Sequence, residues 1–72
     1  MKSRVRELNP DGAVIAVQWW EMQIGDSFFA PCVNIVRARE QLLIIARDNA
    51  MTLRSRVRVE HGMLGLRVWR IA

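Results

Sequence analysis

The chain has a single cysteine, a single histidine and no long apolar run, and each shortage excludes a class of protein. Cys32 alone cannot close an intramolecular disulfide or build a cysteine-based zinc site. His61 has no second histidine or nearby cysteine with which to share a metal. No stretch approaches the roughly 18–20 apolar residues that span a bilayer. The basic residues 1–6 lead into Glu7, Asn9, Pro10 and Asp11, not into a signal-peptide core. Gly25, Gly62 and Gly65 are too scattered to form a phosphate-cradling loop. With 72 residues there is no room for a two-domain enzyme, a dinucleotide-binding half or a barrel. The expectation is one small domain in a reducing cytoplasm, with no metal and no cofactor.

What is present argues for a folded chain. Hydrophobic residues make up 51% of it, too many for a disordered basic tail. Residues 1–12 are polar and mixed in charge, and end in the turn-forming tetrad Asn9-Pro10-Asp11-Gly12. They read as an N-terminal arm, with a short edge strand as the alternative. Residues 13–72 read as a single α+β domain. Within it, residues 13–24 are rich in Val, Ile and Trp, which suit a strand, and Gly25-Asp26 suits a two-residue hairpin turn. Residues 27–30 would return, and Pro31 would stop the pairing.

Asn34 is a good N-cap for a helix running to about Asp48. Ile35, Ala38, Leu42, Ile45 and Asn49 share its apolar face, and Asn49 is a candidate left-handed terminator. The last segment alternates. Leu53, Ser55, Val57 and Val59 fall on one face, and Arg54, Arg56, Arg58 and Glu60 on the other. A turn at His61-Gly62 would set Val59 against Leu64, Val57 against Leu66 and Ser55 against Val68. The other face would then pair Arg58 with Gly65, Arg56 with Arg67, and Arg54 with Trp69. A slip of one residue would mix the two faces. The expected order is β-β-α-β-β, an antiparallel sheet with one helix on one face.

The net charge of +4 is not spread along the chain. Residues 1–53 hold six bases and six acids, whereas residues 54–72 hold five arginines against Glu60 alone. Like charges directly opposed, as at Arg56 and Arg67, cost up to about 1 kcal/mol, and an anionic partner would remove that cost. Arginine forks phosphate and stacks on bases, and Trp69 could stack a base or hold the Arg54 guanidinium. Arg54, Arg56, Arg58, Arg67, Arg70 and Trp69 are therefore the candidate nucleic-acid-binding residues. The competing explanations are a solvated sheet face and an acidic protein partner. Catalysis finds no foothold. Cys32 has no His or Asn at dyad spacing, and Glu21 and Glu40 lie on different elements. Trp19 and Trp20 would point to opposite faces of a strand, so one needs a cover. Trp19, Trp20 and Ile44 are the candidate interface residues of a homodimer or of a module that binds and modulates a host protein.

Residues 20–31, WEMQIGDSFFAP, resemble the W-x-M-x-x-G-D-S-F-F-x-P stretch of small bacteriophage proteins, mostly of uncharacterised function. In that group a helix with basic residues follows, and a strand pair ends in R-V-W-R. Arg67, Val68, Trp69 and Arg70 are similar to that ending. The resemblance covers about residues 19–71, with Ala30 where Val is commoner. It implies a phage or prophage-like source and so the host cytoplasm, and it assigns no site residue.

Overall fold

The computed structural model describes residues 7–72. A 3-10 turn at Trp19–Glu21 precedes strand β1 (Ser27–Pro31), helix α1 (Ile35–Asp48), strand β2 (Leu53–Glu60) and strand β3 (Met63–Arg70). The three strands form one antiparallel sheet in the order β1-β3-β2. The last strand in the chain is thus the central one, and both β1 and β2 are edges.

The β2–β3 register is the one expected from the alternation: Arg54↔Trp69, Arg56↔Arg67, Arg58↔Gly65 and Val59↔Leu64. Two neighbouring residues of positive φ close it, His61 at 53° and Gly62 at 75°. That is the handedness a two-residue turn needs to follow the twist of the strands. Helix α1 also runs as expected. The Asn34 side chain accepts from the Arg37 amide at 3.1 Å, and Ala38, Leu42, Ile45 and Ala46 are buried. Its end differs. Ala50 takes the left-handed conformation, φ 53°, while the Asn49 side-chain amide donates to the Ile45 carbonyl at 2.8 Å.

The first hairpin does not form. Among the described residues the four-stranded β-β-α-β-β order is replaced by one helix and three strands, because β1 pairs with β3 and not with residues 13–24. Ile15 makes a lone antiparallel bridge to Leu8, and the 3-10 turn then carries Trp19 and Met22, three residues apart, to the buried side. Gly25-Asp26 joins that segment to the end of the sheet. Gly25, at φ 96°, donates its amide to the Arg70 carbonyl at 2.8 Å, and the Arg70 amide donates to the Asp26 carbonyl at 3.0 Å. Residues 20–31 and 67–70, the two motif segments of the sequence, therefore meet in space. Burial of Trp19 and Met22 outweighs the strand propensity of the Val and Ile residues around them.

Of the arm drawn over residues 1–12, residues 1–6 lie outside the described residues. Residues 8–11 are fastened to the domain. Leu8 is 1% exposed and belongs to the core. Asn9 and the Gln41 side chain exchange two hydrogen bonds of 2.8 Å. The Asp11 carboxylate accepts from the Val33 and Asn34 amides, both at 2.9 Å, just ahead of α1, where a negative charge is favoured. The expected turn at residues 9–12 is present, with Gly12 N–H donating to Asn9 C=O at 3.0 Å. The core lies between α1 and one face of the sheet: Ala30, Leu66 and Val68 from the strands, with Leu42 and Ile45 above them.

Candidate functional site

The face of the sheet away from α1 follows from the register. Ser27, Phe29 and Pro31 come from β1, Met63, Gly65, Arg67 and Trp69 from β3, and Arg54, Arg56, Arg58 and Glu60 from β2. Four arginines and one glutamate give this face three net positive charges. Arg54, Arg56 and Arg58 are exposed, while Arg67 and Trp69 are half-buried.

Arg67 and Arg56 do stand opposite each other, but the repulsion expected of that pair has an internal remedy. The Arg67 guanidinium forks onto Glu60. Its Nε donates to Oε2 at 3.0 Å and its Nη2 pairs with Oε1. Nη1 reaches Ser27 Oγ at 3.3 Å, and the guanidinium carbon lies 5.9 Å from the centre of the Phe29 ring. Arg58 Nε adds a contact to Glu60 Oε2 at 3.4 Å. The hydrogen bond from Arg67, helped by the positive charges of Arg67 and Arg58, holds the Glu60 carboxyl below the usual carboxylate range. The same bond raises the Arg67 pKa. An external anion is thus not needed to stabilise this pair.

Arg54 and Arg56 have no ion-pair partner among the described residues. Together with Arg58 they form a row along β2, with Trp69 beside Arg54 on the central strand. Phe29 was missed as a member of this face. Its signal was long-range, because only the pairing of β1 with β3 brings it beside Arg67.

Arg70 leaves the group. It pairs with Leu53, on the helix-side parity of β3, and its side chain is engaged with backbone: Nη1 donates to Met22 C=O at 2.6 Å and Nε to Ala72 C=O at 3.0 Å. Counting alternation from Arg67 would have put it on the opposite face. The interface candidates separate too. Trp19 is 2% exposed and packs edge-on against Phe28, with ring centres 5.6 Å apart, so it serves the core. Trp20 is 68% exposed, and Ile44 is half-buried. A 3-10 turn, not a strand, sends the two tryptophans in different directions.

Cys32 is buried, and desolvation, reinforced by the nearby Asp11 charge, pushes its thiol up. That suits a structural residue and opposes the lowering a helix N-terminus alone would produce. Among the described residues, no three of His, Cys, Asp and Glu are gathered as metal ligands, and no helix is long and apolar enough to cross a membrane. Comparison with protein-family models, curated proteins and solved structures finds no match for the chain.

Proposed function

We propose that the open sheet face binds nucleic acid, with Arg54, Arg56 and Arg58 on phosphates and Trp69 as a stacking surface. The observation that carries the reading is the row of three exposed arginines, of which Arg54 and Arg56 have no acid against them among the described residues. Alternate residues on a strand are about 6.6 Å apart, so the row spans about 13 Å and meets no more than about three phosphates. Trp69 lies one strand away, within reach of a base whose phosphate is held by Arg54. A sheet face with an aromatic ring beside basic side chains suits unpaired bases, which present a stacking surface in every sequence. With the phage-like motif pair, the partner would be nucleic acid of a phage or its bacterial host.

The test is a binding titration with a single-stranded and a duplex oligonucleotide at 50 and 200 mM salt. Three phosphate contacts on a single strand give a log–log salt slope near −2, a loss of roughly 20-fold in affinity between those salts. Arg54→Glu/Arg56→Glu should abolish the binding while the far-UV spectrum and melting temperature stay near those of the parent. Binding that the folded double variant retains, or that salt does not weaken, refutes the proposal.

A further inference from the structure

Strand β2 is an edge, and no described residue pairs with its outer side. Which backbone groups point outward follows from the hydrogen bonds of β3. Its residues 64 and 70 bond to the β1 side, through Cys32 N–H to Leu64 C=O and Arg70 N–H to Asp26 C=O, both 3.0 Å. In an antiparallel ladder the alternate residues 63, 65, 67 and 69 then bond to β2, through Glu60, Arg58, Arg56 and Arg54. The outward N–H and C=O groups of β2 therefore belong to Leu53, Ser55, Val57 and Val59.

The surroundings of that edge differ above and below the sheet. On the outer face stand Arg54, Arg56 and Arg58. On the helix side Val57 and Val59 are 48% and 67% exposed. A groove of about 410 Å³ lies between α1 and the start of β2, lined by Leu42, Leu43 and Leu53 together with Arg39, Arg47 and Arg54. No acid lines it among the described residues. An occupant that adds as a strand would place one set of alternate side chains by the groove and valines, and the other set beside the arginine row.

A second copy of β2 fits this poorly. Full-length antiparallel pairing sets same-face residues against each other, so the arginine row meets arginines of the copy. From this geometry we infer that β2 receives an extended segment of an acidic protein partner, alternating carboxylate and apolar side chains, as a fourth strand of the sheet. The inference does not depend on the nucleic-acid reading, since it uses edge backbone groups that a phosphate chain cannot pair in register. The two occupants draw on the same arginines and exclude each other.

The probe is an end-capped octapeptide alternating Glu and Val. Amide hydrogen exchange is followed by NMR on the whole protein. At a peptide concentration about ten times Kd, the amides of Leu53, Ser55, Val57 and Val59 should exchange about tenfold more slowly. The Lys/Val analogue should not bind, and N-methylation of alternate peptide amides should abolish the effect without any change in the protein. Val57→Pro, which removes an outward donor and no β2–β3 bond, should weaken binding. Overturning results are equal binding of the Lys/Val peptide, binding without protection of the four amides, or binding that survives N-methylation. Protection of these amides before peptide is added would overturn it too, because the edge would already be taken by a second copy or by the chain itself. An oligonucleotide that slows the same four amides would reassign the edge to the nucleic-acid site.

Discussion

Replacing Gly65 by alanine tests how tightly β1 is pressed onto the central strand. A methyl group at Gly65 would meet Phe29 Cζ and Pro31 Cα, each at 2.8 Å, and would lie closer still to the Ala30 carbonyl oxygen. The Phe29 ring can swing away, but the Ala30 and Pro31 atoms are backbone, so β1 itself has to shift. Overpacking of this kind costs about 1–3 kcal/mol. Loosening a neighbouring bond, such as Cys32 N–H to Leu64 C=O, adds about 1 kcal/mol. Alanine regains up to about 1 kcal/mol by restricting the unfolded chain. The net cost is about 1–3 kcal/mol, from a stability of about 4–11 kcal/mol for a domain of this length. Thermal unfolding followed by circular dichroism should show the melting temperature falling by roughly 5–20 °C. Gly62→Ala is the internal comparison. It meets nothing within 4 Å and pays only for its left-handed φ of 75°, about 1 kcal/mol. Gly65→Ala should therefore melt at or below Gly62→Ala. A Gly65→Ala protein that melts as high as the parent would refute the close β1–β3 contact.

Glu60→Gln removes the acid that occupies Arg67. If the sheet face binds nucleic acid, titrations across salt should show tighter binding and a slope steeper by about 0.7–0.9, because the freed Arg67 can neutralise one more phosphate. The same variant has a pH signature. Because the folded pKa of Glu60 is lowered, its stabilising effect is complete above the unfolded value near 4.3 and is lost as pH falls through the folded pKa. The gap in melting temperature between parent and Glu60→Gln should thus be constant near neutrality and close below about pH 4. Trp19→Ala should cost about 3–5 kcal/mol in urea unfolding, whereas Trp20→Ala should stay within about 0.5 kcal/mol. Similar losses from the two would mean that Trp20 is covered after all.

The hairpin could be read from sequence residue by residue because its rules are short-range. A two-residue turn fixes the pairing sum, and alternation checks it independently on two faces. The helix could be read for the same reason, from the Asn34 cap to Asp48. Residues 13–24 could not. Their Val, Ile and Trp content fits a strand, but a strand needs a neighbour, and β1 had a better one in β3. There Phe28 and Ala30 fall beside Val68 and Leu66 on the core side. That choice depends on pairings about forty residues apart in sequence, which local propensity does not report. The candidate site divides along the same line. Arg54, Arg56 and Arg58 were placed by counting along one strand. The engagement of Arg67 with Glu60 is shared with Ser27 and the Phe29 ring, both from β1, so it could be found only in three dimensions.

The order β1-β3-β2 also changes what the arginine row means. Charged side chains on an edge strand guard against uncontrolled pairing, and that alone would account for Arg54, Arg56 and Arg58 without any partner. A guard, however, is most effective when a charge also points to the core side of the edge, since an incoming strand must pack both of its faces. On β2 those positions hold Ser55, Val57 and Val59; the two valines are exposed, and the groove against α1 opens at the Leu53 and Ser55 end of the same strand. The strand therefore repels a copy of itself and other basic strands on one side, and offers an apolar seat on the other. Guarding explains the repulsion but leaves the valines unexplained. An acidic, alternating partner accounts for both, and substitution at Val59 separates the two accounts. Val59→Lys completes a guard and should leave the melting temperature within about 2–4 °C of the parent, as for other exposed positions. If the edge is a docking strand, the same change should remove binding of the Glu/Val peptide. If it is only guarded, no peptide binding exists to be lost.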